Sequence, residues 1–170
     1  CEGSCWRRDH PRHEPLRHRP PGLTPVPARN GSFPKYAHAE IERRWLVDLP
    51  AAGSLDGLPC RVIDDLYVAD TRLRLRRMED AASTVVFKFC KKYGGEDISE
   101  AIANLYLTEA EYRTLSGLPG QRVRKRRYAI AGGALDIYGG VSSLAIFEIE
   151  FATVAEAVSY RPPAFARVED

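Results

Sequence analysis

The feature that most constrains the fold is a series of eight short segments in which polar and apolar side chains alternate. They cover residues 37–48, 61–69, 72–79, 84–92, 101–107, 122–131, 133–139 and 144–151. A period of two is typical of β-strands that bury one face. Turn-forming pairs such as Gly94-Gly95, Pro119-Gly120 and Gly132-Gly133 separate several of the segments. Eight short strands joined in this way predict a mostly antiparallel barrel or sandwich.

Two capping signatures predict short helices beside these strands. Thr108 is followed three residues later by Glu111, and the helix that they open is expected to end by Gly117. Thr153 and Glu156 repeat the spacing, and two consecutive prolines at 162 and 163 prevent this second helix from continuing. The expected class is therefore α+β with few helices.

Residues 1–35 differ from the rest of the chain. They hold seven of the twelve prolines and seven basic against three acidic side chains, with almost no apolar periodicity. Such a segment cannot bury enough surface to offset its ordering entropy, which predicts a disordered basic tail before a domain over 36–170. The spacing of Cys1, Cys5, His10 and His13 is not that of a common zinc finger, so the tail is not predicted to bind zinc.

Composition excludes several classes of protein. No apolar run approaches the ~20 residues of a membrane-spanning helix, and the polar start lacks a secretory signal. Four cysteines in 170 residues do not form a dense disulfide framework, and the net charge is only +2. The expected protein is cytoplasmic, with no membrane or nucleic-acid partner. Because the chain begins with Cys1, its sole methionine is Met78, and it ends soon after Pro162-Pro163, it is expected to be incomplete.

The charged residues of the strands share faces. Period-two geometry places Glu40, Glu42 and Arg44 on one face of the first strand, and it separates charged from apolar faces on the others in the same way. The other charged faces contain Arg74, Arg76, Lys88, Lys125, Arg127, Asp136, Glu148 and Glu150. Each pattern alone fits a sheet with one face in water. Together, charges of both signs also fit a closed barrel whose charged faces point inward.

Such a lumen would have a definite chemistry. Converging carboxylates repel one another and favour a hard cation such as Mg²⁺ or Mn²⁺. Converging guanidinium and ammonium groups favour a polyanion, and guanidinium binds phosphate bidentately. A site that offers both fits a metal-bound polyphosphate and phosphoryl chemistry.

At these residues the sequence resembles the CYTH superfamily, the triphosphate tunnel metalloenzymes. The opening Glu40-Ile41-Glu42-Arg43-Arg44 matches the E-x-E-x-K signature of that family, with arginine in place of lysine. The matches continue in order through residues 36–165 at Arg74-Leu75-Arg76, Lys88, Lys125-Arg126-Arg127-Tyr128, Asp136 and Glu148-Ile149-Glu150. Where the family often has a second E-x-E repeat, this chain keeps Glu100 alone.

The resemblance implies an eight-stranded antiparallel tunnel that hydrolyses a short triphosphate with Mg²⁺ or Mn²⁺. The substrate would be inorganic triphosphate, thiamine triphosphate or a nucleoside triphosphate, and the protein a monomer or homodimer. The implied metal ligands are Glu40, Glu42, Asp136, Glu148 and Glu150. The implied phosphate ligands are Arg44, Arg74, Arg76, Lys88, Lys125 and Arg127, and the implied catalytic residues are Glu40, Glu42 and Lys125. Two alternatives stay open: a class IV-type adenylate cyclase and a polyphosphate-binding module without turnover.

Overall fold

The protein is described by a computed structural model over residues 34–94, 98–140 and 144–169. A 3₁₀ turn (Leu49–Ala52) follows the first strand, and the two helices are α1 (Glu109–Leu115) and α2 (Val154–Ser159). The strands are β1 (His38–Val47), β2 (Cys60–Val68), β3 (Leu73–Asp80), β4 (Val85–Lys92), β5 (Ser99–Leu107), β6 (Gly120–Ile130), β7 (Gly133–Tyr138), β8 (Ala145–Glu150) and β9 (Ala166–Glu169).

The first eight strands form a closed antiparallel barrel, in the order β1-β5-β4-β3-β2-β6-β7-β8 and back to β1. The long strand β1 closes the ring: His38–Ile41 pair with β5, and Glu42–Leu46 pair with β8. The predicted eight-stranded barrel is confirmed, and every strand end lies within two residues of the predicted one. The short strand β9 was not predicted. It pairs with residues 45–47 of β1.

Tight turns connect the strands where the sequence supplies the required backbone conformation. Between β6 and β7, Ala131 and Gly132 have φ angles of 50° and 77°, the left-handed conformation of a two-residue hairpin turn. Between β3 and β4, the Asp80 side chain accepts hydrogen bonds at 2.9 Å from the backbone N–H groups of Ala82 and Thr84. These contacts fix the register of the two hairpins locally.

The predicted helix starts are confirmed. The hydroxyl of Thr108 accepts a hydrogen bond from the Glu111 N–H, and the Glu111 carboxylate accepts one from the Thr108 N–H, which completes a capping box. In α2 the Thr153 hydroxyl caps the N–H of Glu156. None of the helices in the described residues is long and apolar enough to cross a membrane.

An apolar cluster packs against the outer face of the barrel. Trp45, Phe147 and Phe165 are buried together, and the rings of Phe147 and Phe165 meet edge to face at 5.4 Å. Arg43 connects β1 to α2 and β9. Its guanidinium group donates to Glu169 at 2.6 and 2.7 Å and to the Ala157 carbonyl at 2.6 Å. The outer faces of β1 and β8 therefore carry apolar core, and their alternate faces point into the lumen.

The tail predicted over residues 1–35 lies almost entirely outside the described residues, as do Cys1, Cys5, His10 and His13. Its disorder and its lack of a zinc site stay predictions.

Candidate functional site

The barrel encloses a cavity of about 440 Å³. Eight basic and five acidic side chains line it, together with two tyrosines and a few uncharged residues. The basic residues are Arg44, Arg61, Arg74, Arg76, Lys88, Lys92, Lys125 and Arg127, and the acidic residues are Glu40, Glu42, Glu100, Glu148 and Glu150. The charges of the strands therefore converge on one lumen rather than facing solvent separately.

Ten of the eleven site residues implied by the sequence line this cavity. The eleventh, Asp136, is fully buried behind two of them. The structure thus brings the implied residues together. Which of them bind metal or phosphate stays a prediction.

One part of the lumen is built on Asp65, whose side chain is completely buried. Arg76 donates to both carboxylate oxygens of Asp65, at 2.6 and 2.7 Å. The Nε atom of Arg74 lies 4.0 Å from Asp65 and has no hydrogen-bond partner among the described residues. Burial alone would lower the pKa of Arg74, but Asp65, Tyr67 and Cys90 together outweigh it, Asp65 contributing most, and the pKa is raised. Arg74 therefore stays charged and keeps donor capacity.

A second buried carboxylate, Asp136, lies between Lys125 and Arg127. Lys125 donates to one Asp136 oxygen, and Arg127 donates to both at 2.7 and 2.6 Å. Burial by itself would raise the pKa of Asp136, but the hydrogen bond from Arg127 and the charge of Lys125 hold it below its usual value. Arg127 also donates to Glu148. We call Asp65, Arg74, Arg76, Lys125, Arg127 and Asp136, on β2, β3, β6 and β7, the basic side of the tunnel.

The opposite arrangement occurs on β1, β4 and β5. The Nζ atom of Lys92 lies 2.7 Å from Glu40, 3.2 Å from Glu42 and 3.4 Å from Glu100. Burial would lower the pKa of Lys92, but the three carboxylates, Glu42 first, raise it. We call Glu40, Glu42, Glu100 and Lys92 the acidic side of the tunnel.

The acidic side has the donor chemistry of a Mg²⁺ or Mn²⁺ site, because hard divalent cations select carboxylate oxygens. Glu40 Oε2 is buried, lies 2.7 Å from the Lys92 ammonium group in an ion pair and has no other donor among the described residues. No three acidic, histidine or cysteine side chains in residues 34–94, 98–140 and 144–169 are arranged to hold a metal ion. The carboxylates are gathered around Lys92 instead, so a metal fits this donor set only where Lys92 moves away.

The other implied ligands occupy different settings. Glu150 is exposed and lies opposite Glu42 in the β1–β8 register, next to the acidic side. Arg44 is also exposed, and its Nε atom lies 4.0 Å from Glu42. The Nζ atom of Lys88 lies 5.2 Å from the ring centre of Tyr106, whose side chain is largely exposed. These residues mark a solvent-accessible part of the cavity.

No protein-family model matches the chain, and no curated protein matches it. Solved structures that are similar to it include two crystal structures, described as those of the hypothetical protein NE1496 and the inorganic triphosphatase NE1496. Each is 24% identical, covers 76% of this chain and 88% of the matched chain, and has a TM-score of 0.44. The function proposed below is therefore supported by the geometry of the tunnel and not by this likeness.

Sequence reasoning missed two residues that organise the lumen. Lys92 was not selected, although alternation along β4 places it on the same face as Lys88. Asp65 was missed because Asp64 and Asp65 are adjacent, and only the register shows which one faces inward. Outside the barrel, Asp64 lies 3.5 Å from exposed Arg124.

Proposed function

We propose that this protein is a metal-dependent hydrolase of a short triphosphate. The observation that carries the proposal is the division of one enclosed lumen into a basic side and an acidic side. Phosphoryl transfer requires cations that hold the phosphate oxygens and a metal that neutralises the developing charge. The cavity volume of about 440 Å³ lies within the roughly 300–1,000 Å³ that is usual for small-molecule sites.

The basic side would bind the phosphate chain. Arg74 is the first candidate, because its Nε atom has no hydrogen-bond partner in the described part of the chain. Arg76 and Arg127 are held by Asp65 and Asp136, which fixes the direction of their guanidinium groups before a ligand arrives. Fixed donors need little reorganisation during the reaction, and this is the main source of electrostatic catalysis.

The acidic side, with Glu150 beside it, would hold Mg²⁺ or Mn²⁺. A divalent cation bound there would neutralise phosphate charge and lower the pKa of a bound water.

Burial lowers the pKa of Lys125 despite the opposing charge of Asp136. Lys125 therefore releases its proton more readily than an ordinary lysine. This supports the sequence-based role of Lys125 in catalysis.

Phosphate release tests the proposal. The full chain is incubated with inorganic triphosphate, thiamine triphosphate, ATP or pyrophosphate, with Mg²⁺, Mn²⁺ or EDTA, and cyclic AMP is measured beside phosphate. We expect phosphate from at least one triphosphate, little from pyrophosphate and none with EDTA. Cyclic AMP formation from ATP would replace the hydrolase with a cyclase, and inactivity on every triphosphate would refute both.

Two substitutions of a lumen glutamate by uncharged glutamine test which carboxylates the activity requires. Glu42→Gln and Glu150→Gln should lower turnover by about 100-fold or more, in the range seen when a charge-stabilising group is removed. Glu79→Gln is the matched control, because Glu79 is on β3, forms an ion pair with Arg77 and does not line the lumen. Near-normal metal-dependent activity in both lumen variants would show that these carboxylates are not the ligands.

A further inference from the structure

Lys92 has a position that the proposed function does not explain. Three glutamates from β1 and β5 surround its ammonium group within 3.4 Å. Lys92 at the centre of the cluster and Arg44 at its edge, 4.0 Å from Glu42, supply two positive charges to three carboxylates, which leaves an excess of negative charge. Apart from its ion pair with Lys92, Glu40 Oε2 has no donor among the described residues. Lys92 therefore neutralises this cluster only in part.

Lys92 is also free to leave in a way that the other paired cations are not. Its side chain is 28% exposed and lines the cavity, whereas that of Lys125 is 3% exposed. The side chain of Arg127 is 25% exposed, but its guanidinium group donates to two carboxylates, those of Asp136 and Glu148. A lysine has a flexible four-carbon stem and a compact ammonium group, so it can change partners by rotating its side chain. A bidentate guanidinium pair such as Arg76–Asp65 has no comparable freedom.

We propose that Lys92 is a displaceable internal cation. It occupies the place of a divalent ion among Glu40, Glu42 and Glu100 while the tunnel holds no metal. When a metal binds there, the ammonium group moves into the lumen and becomes a further donor for the phosphate chain. This inference rests on the proposed function for its ligands, and it names Lys92 as the residue that couples metal binding to polyphosphate binding.

The coupling between metal binding and triphosphate binding follows from the charges of the site. A metal that binds alone must separate Lys92 from three carboxylates, and the released ammonium group gains no partner in return. A triphosphate supplies that partner. Each ligand therefore lowers the cost of binding the other, which is a coupling free energy between neighbouring sites. A purely structural lysine would instead stabilise the carboxylates in the arrangement that a metal needs.

Binding of Mn²⁺ alone to the full chain distinguishes these two roles without any turnover. Mn²⁺ is titrated into the wild type, Lys92→Met and Lys88→Met, and free Mn²⁺ is followed by electron paramagnetic resonance. Lys88→Met is the matched control, because it removes the same charge from the same strand and the same cavity but not from the glutamate cluster. We expect Lys92→Met to bind Mn²⁺ about tenfold more tightly than the wild type, and Lys88→Met to change the affinity by less than about threefold. Unchanged or weaker binding by Lys92→Met would overturn the inference, as would an equal gain in both variants.

A second measurement covers the case in which Lys92→Met does not fold. In wild-type protein with ¹³C-labelled lysine, the ε-methylene signal of Lys92 is assigned by its absence in Lys92→Arg. Diamagnetic Mg²⁺ should shift this signal strongly and leave that of Lys88 nearly unchanged. A Lys92 signal that Mg²⁺ does not move would overturn the inference.

The two proposals fail separately. Metal-dependent phosphate release by the wild type without tighter Mn²⁺ binding by Lys92→Met would refute the role of Lys92 alone. Tighter Mn²⁺ binding without hydrolysis of any triphosphate would refute the proposed function and leave Lys92 as a displaceable cation.

Discussion

The two sides of the tunnel have opposite ratios of carboxylates to cations. On the basic side, single carboxylates with fully buried side chains each lie beside two cations: Asp65 beside Arg74 and Arg76, and Asp136 between Lys125 and Arg127. On the acidic side, one partly exposed lysine lies among three carboxylates. The first arrangement has an excess of positive charge and the second an excess of negative charge.

This difference in charge ratio and burial indicates which ion pairs can exchange partners and which cannot. A buried carboxylate beside two cations cannot be removed without leaving charges that water does not reach, so it fixes the geometry of the cations that donate to it. A partly exposed lysine with three alternative partners can be exchanged. The basic side is therefore a rigid anion site, and the acidic side is a site that a stronger cation can enter.

The largest effect is expected from Asp136→Asn. This change leaves Lys125 and Arg127 without their shared buried charge, and breaking such a pair costs about 3–5 kcal/mol of the free energy of unfolding. Urea denaturation measures the cost. Glu100→Gln is the matched change on the acidic side and should cost less than about 1 kcal/mol, since Lys92 keeps two carboxylates. Equal costs would remove the distinction between the two sides.

The loss of unfolding free energy caused by Asp136→Asn should depend on pH. The pKa of Asp136 lies below its usual value in the folded protein, whereas in the unfolded chain it is near 3.9. Its stabilising contribution is therefore complete above about pH 5 and is lost as pH falls through the folded pKa. The difference in unfolding free energy between wild type and Asp136→Asn should shrink from pH 7 toward pH 3. A difference that stays constant over this range would show that packing, not charge, is what the variant removes.

Triphosphate binding should have an intermediate effect. A ligand at a hundredfold excess over its dissociation constant stabilises the native state by about 2.7 kcal/mol. We expect inorganic triphosphate with Mg²⁺ to raise the melting temperature by roughly 2–8 °C, and monophosphate to raise it much less. Arg74→Gln should reduce the shift, because Arg74 Nε has no hydrogen-bond partner in the described part of the chain. The same shift with both anions would indicate a generic anion site.

The smallest effect is expected outside the barrel. Arg124 is exposed and lies 3.5 Å from Asp64 on the outer face of β2 and β6. Arg124→Ala should change the free energy of unfolding by no more than about 0.5 kcal/mol, which is typical of exposed ion pairs. Melting temperature and the triphosphate shift should both stay near their wild-type values. A loss of the triphosphate shift would mean that the anion binds outside the tunnel.

Much of the barrel could be predicted because its signals are local. Alternation along Leu73-Arg74-Leu75-Arg76 separates two faces within one strand, and the N-cap hydrogen bonds of Thr108 and Thr153 act within four residues. β9 was missed because Ala166–Glu169 has only four residues, too few for their alternation of apolar and charged side chains to identify a strand. It is a strand because residues 45–47 of β1 offer it hydrogen-bonding groups.

By itself the sequence determined which side chains share a face, because a strand of period two imposes this on every residue regardless of its neighbours. It did not determine which charges meet. Lys92 and Glu42 are 50 residues apart and come within 3.2 Å only because β5 joins β4 to β1 and closes the ring. Asp65 faces Arg76 rather than solvent because the register of β2 with β3 pairs these two positions, and a shift of one residue would turn Asp64 inward. Strand order and register are properties of the whole barrel, so the partners of each charge were decided by the tertiary structure.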